Sequence, residues 1–499
     1  MTNPIVSLIE IVLSAPVLSI FFFSLFPITL KVINGNREIN PWTTVFLALI
    51  GLLAGLGFSL ATMRASTYAF SQTLIFDGYS AFATVTIILI SIFSLFLSKE
   101  SAATKGKLFC EHVFLMMNAT IGALIMSWAN DLMMLFIGME YMSLCLYIMI
   151  ATSNEQKLSK EAALKYFILG SFASAIFLFG MSFIFGTTGT TVLSEILPQA
   201  IDLVSTQRLF VVGILLTIVG LGFKVALFPF HAWLPDVYQG SPTSIVAYMA
   251  TMVKVAGFVA ILRFFGLEFL TSPNSETMLS ILEWTAVLTM LVGNLLALLQ
   301  TDLKRILAYS GIAHTGYVMV GAIATGLTTS SDTNLGSFTY LGSSGVLFYL
   351  FGYAIMTLGT FGIVALFEKS EDHLVRVEDL KGLAKKQPFV AAGFTLLLVS
   401  LAGIPPTIGF FGKLFIFTAA IKQGLFWLAI WGVINSVISV YYYLRPVVLM
   451  YMSEDQPTAY AREGLPLSKF TIFVMSILVV VLGLLSEPIY RYVTTTVLG

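Results

Sequence analysis

The sequence predicts an all-α polytopic membrane protein with fourteen transmembrane helices, two of them broken, and two groups of five related as inverted repeats. Three observations carry that expectation: an apolar composition, a succession of hydrophobic runs of spanning length, and prolines beside lysines deep inside two of those runs. With 58% hydrophobic and 10% charged side chains over 499 residues, and a mean hydropathy of +0.93, the chain is too apolar for a water-soluble fold. Its 26 Lys and Arg balance 26 Asp and Glu, so charge points to neither nucleic acid nor a polyanionic substrate.

A spanning helix takes about 20 apolar residues at about 1.5 Å each, and the runs are read in order against that length. The first three, near 6–32, 40–63 and 76–98, form an N-terminal segment, residues 1–107. Its start, MTNPIVSLIE, has no basic stretch and reads as the lead into a retained span. Five runs near 108–128, 130–152, 161–186, 208–235 and 241–267 make a first repeat over 108–268. Five more, near 276–300, 304–327, 342–368, 389–420 and 425–450, make a second over 269–452. A last run near 467–490 occupies 453–499. Connectors are short and carry turn residues such as Asn34-Gly35-Asn36 and Gly240-Ser241-Pro242, and the longest polar one runs from Glu368 to Pro388.

Cytoplasmic loops carry the excess of Lys and Arg. One set of alternate connectors holds seventeen of them, Lys105, Lys107 and Lys369 included, and the other set with the tails holds five, which puts both termini on the outer side. The four cations left over, Lys165, Lys224, Lys254 and Lys413, all fall inside predicted spans. Among acids only Glu140 falls near the middle of one; Glu10, Asp77, Asp131 and Asp236 stand near span ends. An ammonium at the centre of a spanning helix costs about 2.5–3.5 kcal/mol on insertion scales, so such residues face protein or water and usually carry function. One carboxylate cannot neutralise four ammoniums, and a Glu–Lys pair that is made and broken acts as a proton switch.

The stretch GLGFKVALFPFHAWLPDVYQGSPT, Gly220–Thr243, concentrates the argument. Pro229 and Pro235 remove backbone donors within span 7, so Phe210–Asp236 is expected to be a broken helix whose break holds Lys224 at mid-membrane. Lys224 has long apolar flanks on both sides, which argues against snorkelling to an interface. Span 12 echoes it, with Pro405-Pro406 close to Lys413. Spans 7 and 12 are five apart and so cross in opposite directions, as in inverted-repeat transporters with ion sites at the midplane. The echo is incomplete: span 10 offers His314 where a counterpart of Glu140 should fall, and span 11 has nothing charged to match Lys165. His314 is expected between Lys254 and Lys413, as relay or as a hydrogen-bonded structural ring. His231, two residues after Pro229, either admits protons or caps freed carbonyls. Lys304 and Arg305 read as cytoplasmic anchors.

Cys110 and Cys145 lie far apart in apolar runs, so no thiolate metal or iron–sulfur site is expected. No glycine-rich nucleotide loop follows a strand pattern, so the chain is expected to hold no cofactor and no metal of its own.

The stretches GFKVALFPFHAWLPDVYQGSPT, DLKRILAYSGIAHTGY and LAGIPPTIGFFGKLFIF resemble the signatures of the antiporter-like membrane subunits of proton-pumping NADH:quinone oxidoreductase, respiratory complex I. The resemblance runs over the whole chain. It implies that Glu140 pairs with Lys224, that Lys254 lies at the membrane centre, that Lys413 leads to the other half-channel and that Lys165 is the span 6 lysine. Lys413 stands where the subunit M branch typically has glutamate, and the long lateral helix of the subunit L branch has no counterpart after Gly499. The resemblance further implies a bacterial inner membrane, other membrane-arm subunits as neighbours, antiporter-like relatives among them, and NADH, FMN, iron–sulfur clusters and quinone in partner subunits. A large subunit of a multisubunit sodium/proton antiporter is the rival reading; a sodium site would want several oxygen ligands at mid-membrane.

Overall fold

A computed structural model describes residues 7–101, 108–153, 157–266, 268–327, 342–368, 375–454, 462 and 464–498. Lys105, Lys107 and Lys369, counted above for orientation, and the segment boundary at residue 107 lie outside the described residues. Among the described residues thirteen helices are long and apolar enough to cross a membrane, and the remaining span is divided into two shorter helices.

The N-terminal segment holds α1 (Leu8–Ile33), α2 (Pro41–Ala61), a hairpin of β1 (Thr67–Ala69) and β2 (Leu74–Phe76), and α3 (Gly78–Glu100). The hairpin is antiparallel with Thr67 opposite Phe76. Glu10 fixes it to the start of α1: one carboxylate oxygen closes a capping box with Ser7 and the other accepts the Phe70 N–H at 2.6 Å. Asp77 caps α3 and takes both arms of Arg263 at 2.8 Å, clamping this segment to the next.

Next come α4 (Phe109–Trp128), α5 (Leu132–Thr152), α6 (Lys157–Thr188), α7 (Leu193–Thr206), α8 (Arg208–Val225), α9 (Trp233–Gly240) and α10 (Thr243–Phe265). Then follow α11 (Glu276–Leu298), α12 (Leu303–Gly326), α13 (Gly342–Phe367), the single turn α14 (Leu383–Lys386), α15 (Pro388–Ala402), α16 (Ile408–Lys422) and α17 (Phe426–Met452). The last two are α18 (Pro466–Leu484) and α19 (Ser486–Leu498), so the helix of the C-terminal run is interrupted at Leu485. Helix α7 lies in what reads as a connector; its Leu193, Ile196, Ala200 and Val204 recur at helical spacing and are the residues it buries.

Two helices form the centre. Every residue of α10 except Arg263 is buried, and every residue of α13 except Phe351. Helix α10 packs on α3, α12 and α13, and α13 on α12, α15, α16 and α18. The outer helices α1, α2, α6 and α17 expose apolar side chains such as Phe46, Phe172 and Val437, a surface suited to a bilayer or to a neighbouring membrane subunit. Close approach is bought with glycine: a Cβ on Gly122 of α4 would sit 2.5 Å from Met142 N of α5, and one on Gly293 of α11 would sit 2.5 Å from Ala313 N of α12.

Candidate functional site

Span 7 breaks where Pro229 falls. Helix α8 ends at Val225 with Ala226 in the left-handed region, and α9 begins only at Trp233. The backbone groups freed there are taken by other helices. Trp233 Nε1 donates to Phe223 O at 3.0 Å, Thr315 Oγ1 of α12 donates to Val225 O at 2.7 Å, and Phe228 N–H donates to Thr289 Oγ1 of α11 at 3.0 Å. Lys224, in the last turn of α8, has a fully buried side chain and turns away from the break towards α5. Its ammonium donates to Ser143 Oγ at 2.8 Å and lies 3.7 Å from Glu140 Oε1. Ser143 and Glu140 are three residues apart, hence on one face of α5. The same Glu140 oxygen also accepts from Ser174 Oγ of α6, and the carboxylate side chain is 22% exposed. The expectation that the break itself holds Lys224 is thereby corrected: protein hydroxyls and an indole satisfy the break, and a carboxylate and a serine hold the lysine.

Lys254 is buried at the middle of α10. Its ammonium donates to Gly311 O of α12 and, at 3.1 Å, to Tyr353 OH of α13, with the Tyr353 ring centroid 4.7 Å away. Gly311 makes the room, since a Cβ there would sit 3.0 Å from Lys254 Nζ. His314, one turn further along α12, is enclosed by tyrosines. Its Nδ1 shares a hydrogen bond with Tyr349 OH, its Nε2 another with Tyr443 OH at 2.9 Å, and Tyr443 OH shares a further one with Ser310 Oγ. The imidazole centroid lies 5.2 Å from that of Tyr353 and 5.7 Å from that of Tyr317.

Lys413 approaches the same cage from the far side, its ammonium 4.8 Å from the Tyr317 centroid. Span 12 breaks between Ala402 and Ile408, with Gly403 in the left-handed region. Here the freed carbonyls do hold the lysine: Lys413 Nζ donates to Ala402 O at 3.0 Å and Leu401 O at 3.3 Å, at the negative end of α15. Gly409 is required by the fold-back, because a Cβ there would meet Ser400 O at 1.9 Å. Neither Lys254 nor Lys413 has a carboxylate partner among the described residues.

Three of the four intramembrane lysines are therefore brought to one interior, and His314 stands between the Tyr353 that Lys254 binds and the Tyr317 that Lys413 covers. Lys165 differs. It lies near the start of α6 with its side chain 44% exposed, paired with Glu161 at 2.9 Å and with Asp236 of α9 at 3.1 Å. Asp236 also receives Arg305 of α12 at 2.8 Å, so Arg305 is a tie between helices and not a free anchor. Lys304 is buried too: it donates to Ser241 O at 2.9 Å and lies 3.7 Å from Glu368, whose carboxylate accepts the Thr243 N–H and hydroxyl at the start of α10. His231 lies within the break of span 7, stacked on Phe228, and its Nδ1 is buried without a partner. No freed carbonyl receives it.

Residues that sequence reasoning missed are the hydroxyls: Ser143, Ser174, Tyr317, Tyr349, Tyr353 and Tyr443. A signal existed for some of them. Tyr349 and Tyr353 are four apart on α13, Ser310 and His314 four apart on α12, and both helices are buried all round, so their polar residues must face protein. A buried acid in span 9, Glu283, was also passed over; it accepts from Trp427 Nε1 at 3.1 Å. Among the described residues no cluster of His, Cys, Asp or Glu is arranged to hold a metal ion.

Residues 129–439 match the NADH:quinone oxidoreductase/Mrp antiporter transmembrane family. NADH-quinone oxidoreductase subunit N of Bdellovibrio bacteriovorus is 48% identical over 493 residues, covering 99% of both chains. The chain belongs to the subunit N family. Subunit N of Trichlorobacter lovleyi is 37% identical, over 90% of this chain and 88% of its own. Among solved structures, a chain of respiratory complex I from Thermus thermophilus superimposes with a TM-score of 0.79 at 30% identity, over 95% of this chain and 98% of that one. A chain of the Mrp complex from Dietzia superimposes with a TM-score of 0.83 at 21% identity, over 98% of this chain and 97% of that one, a likeness of fold alone. The family match in this subunit N relative encloses Glu140, Lys224, Lys254, His314 and Lys413.

Proposed function

We propose that this chain is the proton-translocating subunit N of a bacterial NADH:quinone oxidoreductase, moving protons through Glu140, Lys224, Lys254, His314 and Lys413 while partner subunits reduce quinone. The observation that carries the reading is the burial of Lys224, Lys254 and Lys413, each beside a serine or tyrosine side chain and with His314 among the tyrosines, in a chain 48% identical to a named subunit N. Glu140 holds Lys224 charged; when the carboxylate withdraws or takes up a proton, Lys224 loses its counter-charge and passes its own proton on. Thr315 and Gly311 lie on the side of α12 that meets both Val225 and Lys254, which gives the next step a polar lining. Beyond Lys254 the carrier is His314. A neutral imidazole has one donor and one acceptor nitrogen, so a proton received from one tyrosine hydroxyl leaves to the other by exchange of tautomers, with Lys413 beyond. His231, with a free buried nitrogen in the break, admits protons to Lys224. Lys165 takes no step in the buried file; through Asp236 it braces α9 against α6.

The chain is organised as an N-terminal segment, residues 1–107, inverted five-span repeats over 108–268 and 269–452, and a C-terminal segment from 453. Breaks at equivalent spans support the repeat. It sits in the inner membrane with both termini outside, beside other membrane-arm subunits that include antiporter-like relatives. NADH, FMN, iron–sulfur clusters and quinone belong to partners, and the energy to move each charge, about 2.3 kcal/mol per 100 mV, arrives from them. The sodium/proton antiporter reading is disfavoured by the deep site itself, which presents ammonium groups and one carboxylate where a sodium ion needs several oxygens.

Lys224→Ala tests the reading. In membranes where the complex is assembled, NADH-driven proton uptake should collapse and quinone reduction should slow. Normal pumping by an assembled variant would remove Lys224 from the mechanism.

A further inference from the structure

A groove on the outer surface lies away from the lysine file, between α15 and α18, with Leu366 of α13 in its lining. Its volume is 620 Å³, within the range of about 300–1,000 Å³ typical of sites for small organic ligands. The walls are apolar: Phe389 and Leu396 from α15 face Phe473 and Ile477 from α18, and all four are exposed, Phe389 at 92%. One end is strongly basic. Lys386, Arg462 and Lys469 line it with no acidic residue among the lining side chains. Neither Lys386 nor Lys469 has a carboxylate partner among the described residues. Arg462 gives one guanidinium nitrogen to Ala365 O at 3.2 Å and keeps a buried Nε without a partner. The first turn of α15 opens onto the same end with Pro388 at its start and no side-chain cap, so a helix N-terminus adds its positive dipole.

A long apolar cleft that ends in three cations, two of them without acidic partners, matches an amphiphile with an anionic head. We propose that this groove is a binding site for an anionic glycerophospholipid of the cytoplasmic leaflet, its phosphate between Lys386, Arg462 and Lys469 and an acyl chain laid between α15 and α18. The three cations fall in the connector set that carries the excess of basic residues, the side on which anionic headgroups meet basic pockets between spanning helices. Gly393 lines the cleft, and a Cβ there would sit 3.2 Å from Ser476 Oγ, a close contact across the two helices. The site is independent of the proton file.

The test uses the intact complex in lipid nanodiscs. Phosphatidylglycerol carrying a photoreactive acyl chain is compared with phosphatidylcholine carrying the same chain, and labelled peptides are mapped by mass spectrometry. Peptides of α15 and α18 should be labelled preferentially by phosphatidylglycerol. Lys386→Gln and Lys469→Gln should each lower that preference roughly fivefold and leave labelling by phosphatidylcholine unchanged. Equal labelling of the groove by both lipids would overturn the proposal. So would its protection from both, which would show another subunit covering it. The comparison of the two lipids on the unmodified complex decides even where a variant fails to assemble.

Discussion

The two broken spans carry the same sequence signature, proline beside lysine, and solve the same problem in opposite ways. In span 7 the broken backbone is served by Thr315, Trp233 and Thr289, and Lys224 is left to Glu140 and Ser143. In span 12 the lysine itself serves the backbone, with Lys413 on the carbonyls of Leu401 and Ala402. The partner of Lys224 is thus a titratable side chain that can move, whereas the partners of Lys413 are fixed dipoles that cannot. In the mechanism we propose, a lysine held by a carboxylate is switched by its partner, and a lysine held by carbonyls only by what reaches it through the cage.

The largest expected effect tests how rigid the second break is. Gly409→Ala sets a Cβ against Ser400 O and should cost about 3 kcal/mol or more, lowering the amount of assembled complex on a native gel. Gly222→Ala, beside the first break, meets only the flexible end of Leu227 at 3.3 Å and should assemble normally. Equal loss in both would erase the contrast between a tight and a served break.

Removal of the movable partner comes next. Glu140→Ala leaves a buried ammonium with Ser143 alone and should cost about 2–3 kcal/mol, the value for a broken buried pair reduced for the partial exposure of the carboxylate. Quinone reduction coupled to pumping should fall steeply, and Glu140→Asp should retain part of it. An alanine variant as active as the parent would take the pair out of the mechanism.

Lys413→Met removes a charge from the side of Tyr317 and strips two carbonyls of their donor, a loss of about 1–3 kcal/mol. Pumping should fall with assembly retained, the reverse of the outcome at Gly409. Loss of assembly equal to that of Gly409→Ala would make Lys413 a structural clasp.

The smallest effect separates the two lysines that lack carboxylates. Tyr353→Phe takes one of the two hydrogen bonds of Lys254 and leaves Gly311 O, about 1 kcal/mol, and should slow turnover severalfold. Tyr317→Phe leaves the ring under Lys413 in place and should be milder still on pumping. If the two variants are equal, the hydroxyl of Tyr353 has no part in holding Lys254.

The spans, both breaks and the charged members of the site were legible because each is a local conflict: an ammonium or a proline inside an apolar run has few explanations. The ion pairs of Lys165 were not legible by the same logic, since helix α6 starts eight residues before it and leaves it within reach of Asp236, a contact between distant segments that no run length reveals. The tyrosines were harder still. In a chain with 19 Tyr and 42 Phe an aromatic residue in a span is unremarkable, and only the burial of α13 on every side makes its hydroxyls informative. Helix α7 was missed for want of length, although its buried stripe has helical spacing.

One face of α12 has a mechanical meaning. Thr315 grips the last carbonyl of α8 and Gly311, one turn away, accepts from Lys254 on α10. The same rod presents His314 to the tyrosines of α13 and α17. A slide of α12 along its axis by a fraction of a turn would therefore loosen the end of α8, the seat of Lys254 and the imidazole together, gearing three parts of the candidate site to a single shaft.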